Sequence, residues 1–508
     1  MKKRTGTVFA RAALVAAATL FAAGAAHGID VTFSKEDGDL ALPADWGMES
    51  LPDSTNRIAF AASGSAMTAT ASADISYAGI IMKKSNQTVT LDMRDSVSGA
   101  SPRHVNLTGS VTFGEYHHQT LNIKGGVWDT GNSIITTFGG SYNNSRRYAT
   151  VNITDGALVR TAGLRGDYSA DSHSLFHIAG EGTVVTSGYI SVPFIDARYD
   201  CAEIVDGAKV IITNNTNGGV EIGRRDSYYC GLTVSGAGSR LQKIRGGTTY
   251  LGAKRNHNFL RVENGGEFLQ GSGLFYFAYS DGDDANNATN NLISVSGSGS
   301  RFVFNAMYFG RGGASALNSH NEMQVFDGGV VTGSIVYAYG HDNGLVVSNA
   351  SMVLLANGIV CQESCTNIYL RMQGDRPSFT IPLGGGGNFQ FRNSFKFIYD
   401  LPLDGYPENW IPVNLVKWGT SDSTTEVVVN GIEAVRRRMS ARRMSRQSFN
   451  LLKTTSGIGE SGGSGSGFTS AMLARWNSYL PEGASLSLKG GILTLTVENQ
   501  IGTMIIVK

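Results

Sequence analysis

The sequence predicts an all-β protein, a parallel β-helix (β-solenoid) with a small C-terminal β-rich tail, and three observations predict it. A short phrase of Ile or Val, any residue, then Gly, Asp or Asn returns nine times at separations of 22 to 33 residues. Gly is abundant, 65 of 508 residues, while Pro numbers only 10, which suits many short strands joined by tight turns and fits neither collagen nor a disordered chain. Helix signals are missing from the whole repeating stretch. A strand-and-turn unit at this period buries its apolar face on its neighbours, coil upon coil.

In chain order, residues 1–28 read as a secretory signal. Lys2, Lys3 and Arg4 open it, an apolar stretch runs from Ala12 to about Ala23, and small residues at Gly24, Ala25, Ala26 and Gly28 place cleavage near His27. The stretch is too short to cross the roughly 30 Å apolar core of a bilayer, and the mature chain is expected to hold no transmembrane segment. Residues 29–110, with Trp46, Pro52 and strand-like runs at 58–61, 66–71 and 88–93, read as an N-terminal capping region and first coils. Such a cap covers strand edges that an open coil would expose.

Residues 111–435 form the solenoid body. The anchors are Ile123, Ile153, Ile178, Ile204, Val234, Val262, Val295, Val325 and Val347. Two positions on stand Gly125, Asp155, Gly180, Asp206, Gly236, Asn264, Gly297, Asp327 and Asn349, the residue types that enter a left-handed turn at least cost. Pairs such as Leu121/Ile123, Val151/Ile153, Leu232/Val234 and Met323/Val325 alternate at period two and assign that face to the dry interior. A second signature follows the turn: Phe138-Gly139, Ile222-Gly223, Leu251-Gly252 and Phe309-Gly310. Tyr250, Tyr276, Tyr308 and Tyr337 are placed to stack as an aromatic ladder. Four residues before their anchors, Asn258, Asn291, Asn321 and Asn343 form a column in consecutive coils; stacked Asn amides bond along a cross-β array, so a structural ladder is the reading, with a polar sugar groove as its rival.

Four cysteines remain, Cys201, Cys230, Cys361 and Cys365. In an exported chain structural disulfides are expected, from Cys201 to Cys230 between adjacent coils and from Cys361 to Cys365 within a loop; free thiols are the alternative. After residue 435 the composition breaks. Arg436, Arg437, Arg438, Arg442, Arg443 and Arg446 crowd eleven positions without an acid, as a solvated connector or as a contact for an anionic polymer. Residues 436–467 thus read as a linker, Arg-rich and then Gly/Ser-rich. Residues 468–508 read as a short helix and a β-hairpin tail, with a further strand at 504–507.

The turn-and-anchor phrase, as in Val234-Ser-Gly-Ala-Gly-Ser239 and Val325-Phe-Asp-Gly-Gly329, resembles exported bacterial proteins that carry autotransporter-associated β-strand repeats, over roughly residues 110–375. The resemblance implies a right-handed solenoid at the cell surface. No C-terminal segment reads as the translocator barrel of that plan.

The charge balance, 42 Lys and Arg against 41 Asp and Glu, gives no global pull toward nucleic acid, and no nucleic-acid partner is expected. Polysaccharide or another cell-surface polymer is the expected partner. An exported or cell-surface structural or adhesive role follows; the alternative is a polysaccharide lyase or glycoside hydrolase on the same scaffold. For the enzyme, Asp281, Asp283 and Asp284 lack the oxygen count calcium wants. Asp167, Asp171, Asp196 and Asp200 are the candidates for paired carboxylates, but acids are ordinary on solenoid loops. His117-His118 has no third ligand nearby. No cofactor, metal ligand or catalytic residue is assigned.

Overall fold

The computed structural model describes residues 29–499 apart from 62–65, 95–100, 114–117, 138–147, 167–172, 194–197, 215–218, 225–226, 281–287, 313–317, 363–364, 383–388, 392–394, 421–424 and 457–468. The expected signal segment, the Gly/Ser-rich stretch and the strand at 504–507 lie outside the described residues.

Each coil is an anchor strand, a turn, a second strand, a corner, a third strand and a loop back. Phe259–Glu263, Glu267–Gln270 and Leu274–Phe277 make one such coil, and Leu292–Ser296 begins the next. Anchor strands stack in parallel without slippage, Ile204 on Val234, Val262, Val295, Val325 and Val347 in turn. They form a 15-stranded sheet. The second and third strands form two further columns, joined where Val330–Ala338 and Met352–Cys361 pass through the corner as single strands.

The nine anchors account for the middle of that sheet. Gly38, Ala69 and Leu91 continue the anchor column at one end, and Met372, Tyr399 and Val429 at the other. Val429-Asn430-Gly431 carries the complete phrase and Met372-Gln373-Gly374 carries it with Met for Val, with Gly374 at φ 76° and Gly431 at φ 88°. All nine residues placed in the turn have positive φ, from 47° at Asn349 to 95° at Gly236. The strands form because alternate residues turn inward: Leu121, Ile123, Val151, Ile153, Phe176, Ile178, Leu232 and Val234 are all buried.

Both ends are closed. At the start, the 3-10 turn Pro43–Trp46 lays Trp46 5.0 Å from Phe33, and the indole Nε1 and the Tyr77 hydroxyl both donate to the Leu40 carbonyl. At the other end the structure departs from the expected linker. Ile432–Ala441 is a helix burying Ile432, Val435 and Met439, and Arg446–Ser456 is a strand. Arg437, Arg438 and Arg446 lie on the exposed faces of these elements, so their crowding marks an amphipathic surface and not an unstructured connector. Arg446–Ser456 runs parallel to Val413–Thr420 and antiparallel to Ile492–Glu498, which pairs in a hairpin with Ala484–Lys489. The helix Ser470–Ser478 buries Met472 and Trp476 beneath this cap.

Candidate functional site

The Asn column is built into the corner where the loop re-enters the anchor strand. The backbone N–H of Asn258 donates to Asn291 Oδ1 (2.9 Å), that of Asn291 to Asn321 Oδ1 (2.9 Å) and that of Asn321 to Asn343 Oδ1 (3.0 Å). The amide nitrogens of Asn258, Asn291 and Asn321 donate to the next Oδ1 and to carbonyls such as Arg255 O and Ala288 O, and that of Asn343 donates to the Asn318 and Tyr339 carbonyls. All four asparagines are buried, so their hydrogen-bonding capacity is used inside and none is offered to a sugar. The column explains the second signature. A Cβ at Gly223, Gly252 or Gly310 would overlap the side chain of Asn258, Asn291 or Asn343, and all three glycines have positive φ. Gly139 lies outside the described residues.

Asp200 and Cys230 occupy earlier rungs of this column. Asp200, read from sequence as a loop carboxylate, is fully buried, and its Oδ1 accepts from Ser174 N–H at 2.7 Å. Asp167, Asp171, Asp196, His117 and the triplet Asp281, Asp283 and Asp284 lie outside the described residues. The structure forms neither expected disulfide. The register pairs Cys201 with Gly231, so Cys230 is one step out and its side chain leaves on the opposite face. Burial pushes the Cys201 thiol up to about 11 and raises the Cys230 thiol well above its usual value. Cys361 and Cys365 are buried with their thiols in hydrogen-bond contact.

Two aromatic columns stand on the outside. Tyr250, Tyr276, Tyr308 and Tyr337 stack at 5.3, 5.2 and 5.0 Å along the third strands. Arg224 lies 4.6 Å over Tyr250, and Arg311 4.8 Å over Tyr308. The second column was not read from the sequence. His118, Tyr148, His173, Tyr199, Tyr229 and His257, each five residues before its anchor, stack ring on ring at 4.5 to 5.2 Å and 3 to 22°. Tyr199 and Tyr229 are 46% and 42% exposed. Tyr228, one residue earlier, is flanked by Arg198 at 5.6 Å and Arg255 at 5.4 Å. Reading the position before the Asn column, as well as the column itself, would have shown the run of His and Tyr.

The Arg cluster is largely engaged within the cap. Arg438 and Arg442 each reach Asp404 at 2.9 Å, and these cations hold its carboxyl below the usual range. Arg436 pairs with Glu433 and donates to the Glu482 carbonyl, and Arg446 donates to Thr496 Oγ1. Arg437 and Arg443 are exposed.

A groove of about 300 Å³ on the outer face of the anchor sheet is lined by Glu322, Gln324, Arg371 and Gln373 among others. Its polar groups bind one another. Glu322 accepts from Gln324 and Tyr369, while Arg371 and Gln373 both donate to Asp400 at 2.7 Å. Burial raises the Asp400 carboxyl, but hydrogen bonds from Arg371, Asn430 and Gln373 outweigh it and hold the group low, which unfits it as a general acid. A groove of about 640 Å³ near the N-terminal turns is lined by Asp39, Asp92, Arg94 and Arg103. Both Asp39 oxygens there accept from Ser72 N–H, and Asp92 pairs with Arg94. Among the described residues no group of three His, Cys, Asp or Glu is placed to hold a metal ion.

One buried polar spot was also not foreseen. Lys243 is 1% exposed at an inward position, its ammonium donating to the Gly247 carbonyl, and burial pulls it down to about 8. Gln270, its neighbour on the next coil, is buried with neither amide atom hydrogen-bonded.

Comparison with family models, with curated proteins and with solved structures gave no match to this chain.

Proposed function

We propose that the chain is an exported, cell-surface β-solenoid with a structural or adhesive role, touching polysaccharide through its exposed edge, in the manner its repeats suggest by their resemblance to autotransporter-associated ones. The observation that carries this reading is the distribution of chemistry along the rod. Carboxylates such as Asp39, Asp92, Glu322, Asp400 and Asp404 are each tied to a neighbour at separate places along the chain, whereas hydrolysis needs two carboxylates flanking one cleft. What the outer edge repeats instead is aromatic rings and guanidinium groups. No described helix is long and apolar enough to cross a membrane.

The test is a glycan array probed with the purified full chain, alongside release assays on the same glycans. Selective binding without release of reducing ends or unsaturated products is expected. Uniform background across all glycans overturns the adhesive reading, and product release from any of them replaces it with the enzymatic one.

A further inference from the structure

Five residues before the anchor position, the backbone turns left-handed in nine coils. Asn86, His118, Tyr199, Tyr229, His257, Asn290, His320, Asp342 and Asn367 all occupy this position, with φ between 51° and 64°. Asn, Asp and His tolerate that conformation; Tyr is uncommon in it. Tyr199 and Tyr229 therefore hold a strained backbone, and their exposure means that core packing does not require them. Strain kept at an exposed side chain points to a use for that side chain.

We infer that the six-ring ladder from His118 to His257 is a contact strip for an acidic polysaccharide lying along the solenoid axis, an inference that rests on the adhesive reading and adds the ligand class and the edge. Each interior ring is covered on both faces by its neighbours at 4.5 to 5.2 Å. Stacking of nucleobases on the interior rings would require open faces, and so would stacking of the apolar face of a neutral sugar. What remains outward is a row of ring edges bearing Tyr hydroxyls and His ring nitrogens, one set per coil. These are hydrogen-bonding groups for a hydroxylated chain. Two arginines lie beside them. Arg198 precedes Tyr199 directly, and Arg198 and Arg255 both sit against Tyr228, so a carboxylate on the ligand meets guanidinium groups where charge-assisted hydrogen bonds are strongest.

The test uses the full chain with polygalacturonate, dextran of matched length, heparin and single-stranded DNA as probes. Tyr199→Asn combined with Tyr229→Asn removes two rings while installing the residue that the same position carries at Asn290 and Asn367. Polygalacturonate is expected to bind with an affinity that falls with salt, and dextran and DNA are expected to bind at least tenfold more weakly. The double variant is expected to lose at least tenfold in affinity while melting no lower than the parent. Arg198→Gln with Arg255→Gln should weaken polygalacturonate binding and flatten its salt dependence, also without lowering the melting temperature. Heparin bound as tightly as polygalacturonate retains the acidic class with sulfate as an equal partner. Unchanged binding by both variants overturns the assignment of the strip while leaving glycan adhesion standing, as does a double variant whose lower melting temperature accounts for its loss. Equal binding of dextran or DNA overturns the acidic class, and an absence of binding to any glycan removes the adhesive reading with it.

Discussion

Lys243 sits where the alternation of its strand reserves an apolar side chain, two residues beyond Leu241 and directly above Ile212. Its ammonium meets the Gly247 carbonyl, and among the described residues no carboxylate pairs with it. Desolvation alone therefore sets its proton affinity, lowered to about 8 from an ordinary 10.5. The sign of the linkage follows. Between these values the unfolded chain holds more protons than the folded one, so stability rises with pH across that window and the penalty is fully present below pH 8. Lys243→Met is expected to stabilise the protein by about 2–3 kcal/mol at pH 7, with the advantage shrinking above pH 8 and gone near pH 10.5. Paired urea melts at pH 7 and pH 10 measure this; an advantage that is constant with pH contradicts it. Period two places Lys243 on the inner face with Leu241, but a lysine there reads from sequence as the point where the strand ends. Burial of its chain end is decided by the corner, which is a property of the coil.

At the scale of the coil the sequence was legible where one residue type satisfies one local demand. Gly, Asp and Asn mark the left-handed turn because other residues are costly there, and Ile or Val mark the dry face because period two fixes which side is buried. Leu91, Met372 and Tyr399 extend the same column with other apolar residues, and a phrase limited to Ile and Val could not find them. The cysteines failed for a geometric reason that was present in the sequence: offsets of three and four from their anchors place Cys201 and Cys230 on opposite faces. The second signature was legible as a pattern but not as a cause, since its glycines answer to asparagines 33 to 39 residues further on. That coupling is testable. Gly252→Ala adds a Cβ against the Asn291 amide in a left-handed backbone at φ 66°, and should cost about 3 kcal/mol or more, from strain and displaced amide bonds together. Gly156→Ala, at φ 75° with nothing within 4 Å, should cost about 1–2 kcal/mol from strain alone. Equal losses in denaturant titration would show that the ladder does not set the requirement for glycine.

The whole molecule is a stack in which each coil touches its neighbours, so stability is shared between adjacent units and a lesion acts locally. A stack of this kind is dangerous only at its ends, where a parallel edge can accept another chain. The C-terminal tail answers that hazard by reversing direction. After Arg446–Ser456 continues the parallel column, Ile492–Glu498 pairs antiparallel to it and the hairpin partner Ala484–Lys489 forms the last strand. Trp476 locks the arrangement, fully buried with its Nε1 donating to the Thr425 carbonyl at 2.8 Å. Trp476→Ala removes that wedge, at a cost of about 3–5 kcal/mol. Because the loss is local, amides of Arg446–Ser456 and Ile492–Glu498 should exchange with solvent faster, while those of Phe259–Glu263 keep their protection. The loosened cap should also uncover the edge of Val413–Thr420, and sedimentation should then show end-to-end association that grows with protein concentration, whereas the parent shows none over the same range. Faster exchange along the entire rod would mean that the coils unfold as one unit, and a variant that frays at the cap yet never associates would mean that the reversed hairpin is not what keeps the rod from elongating.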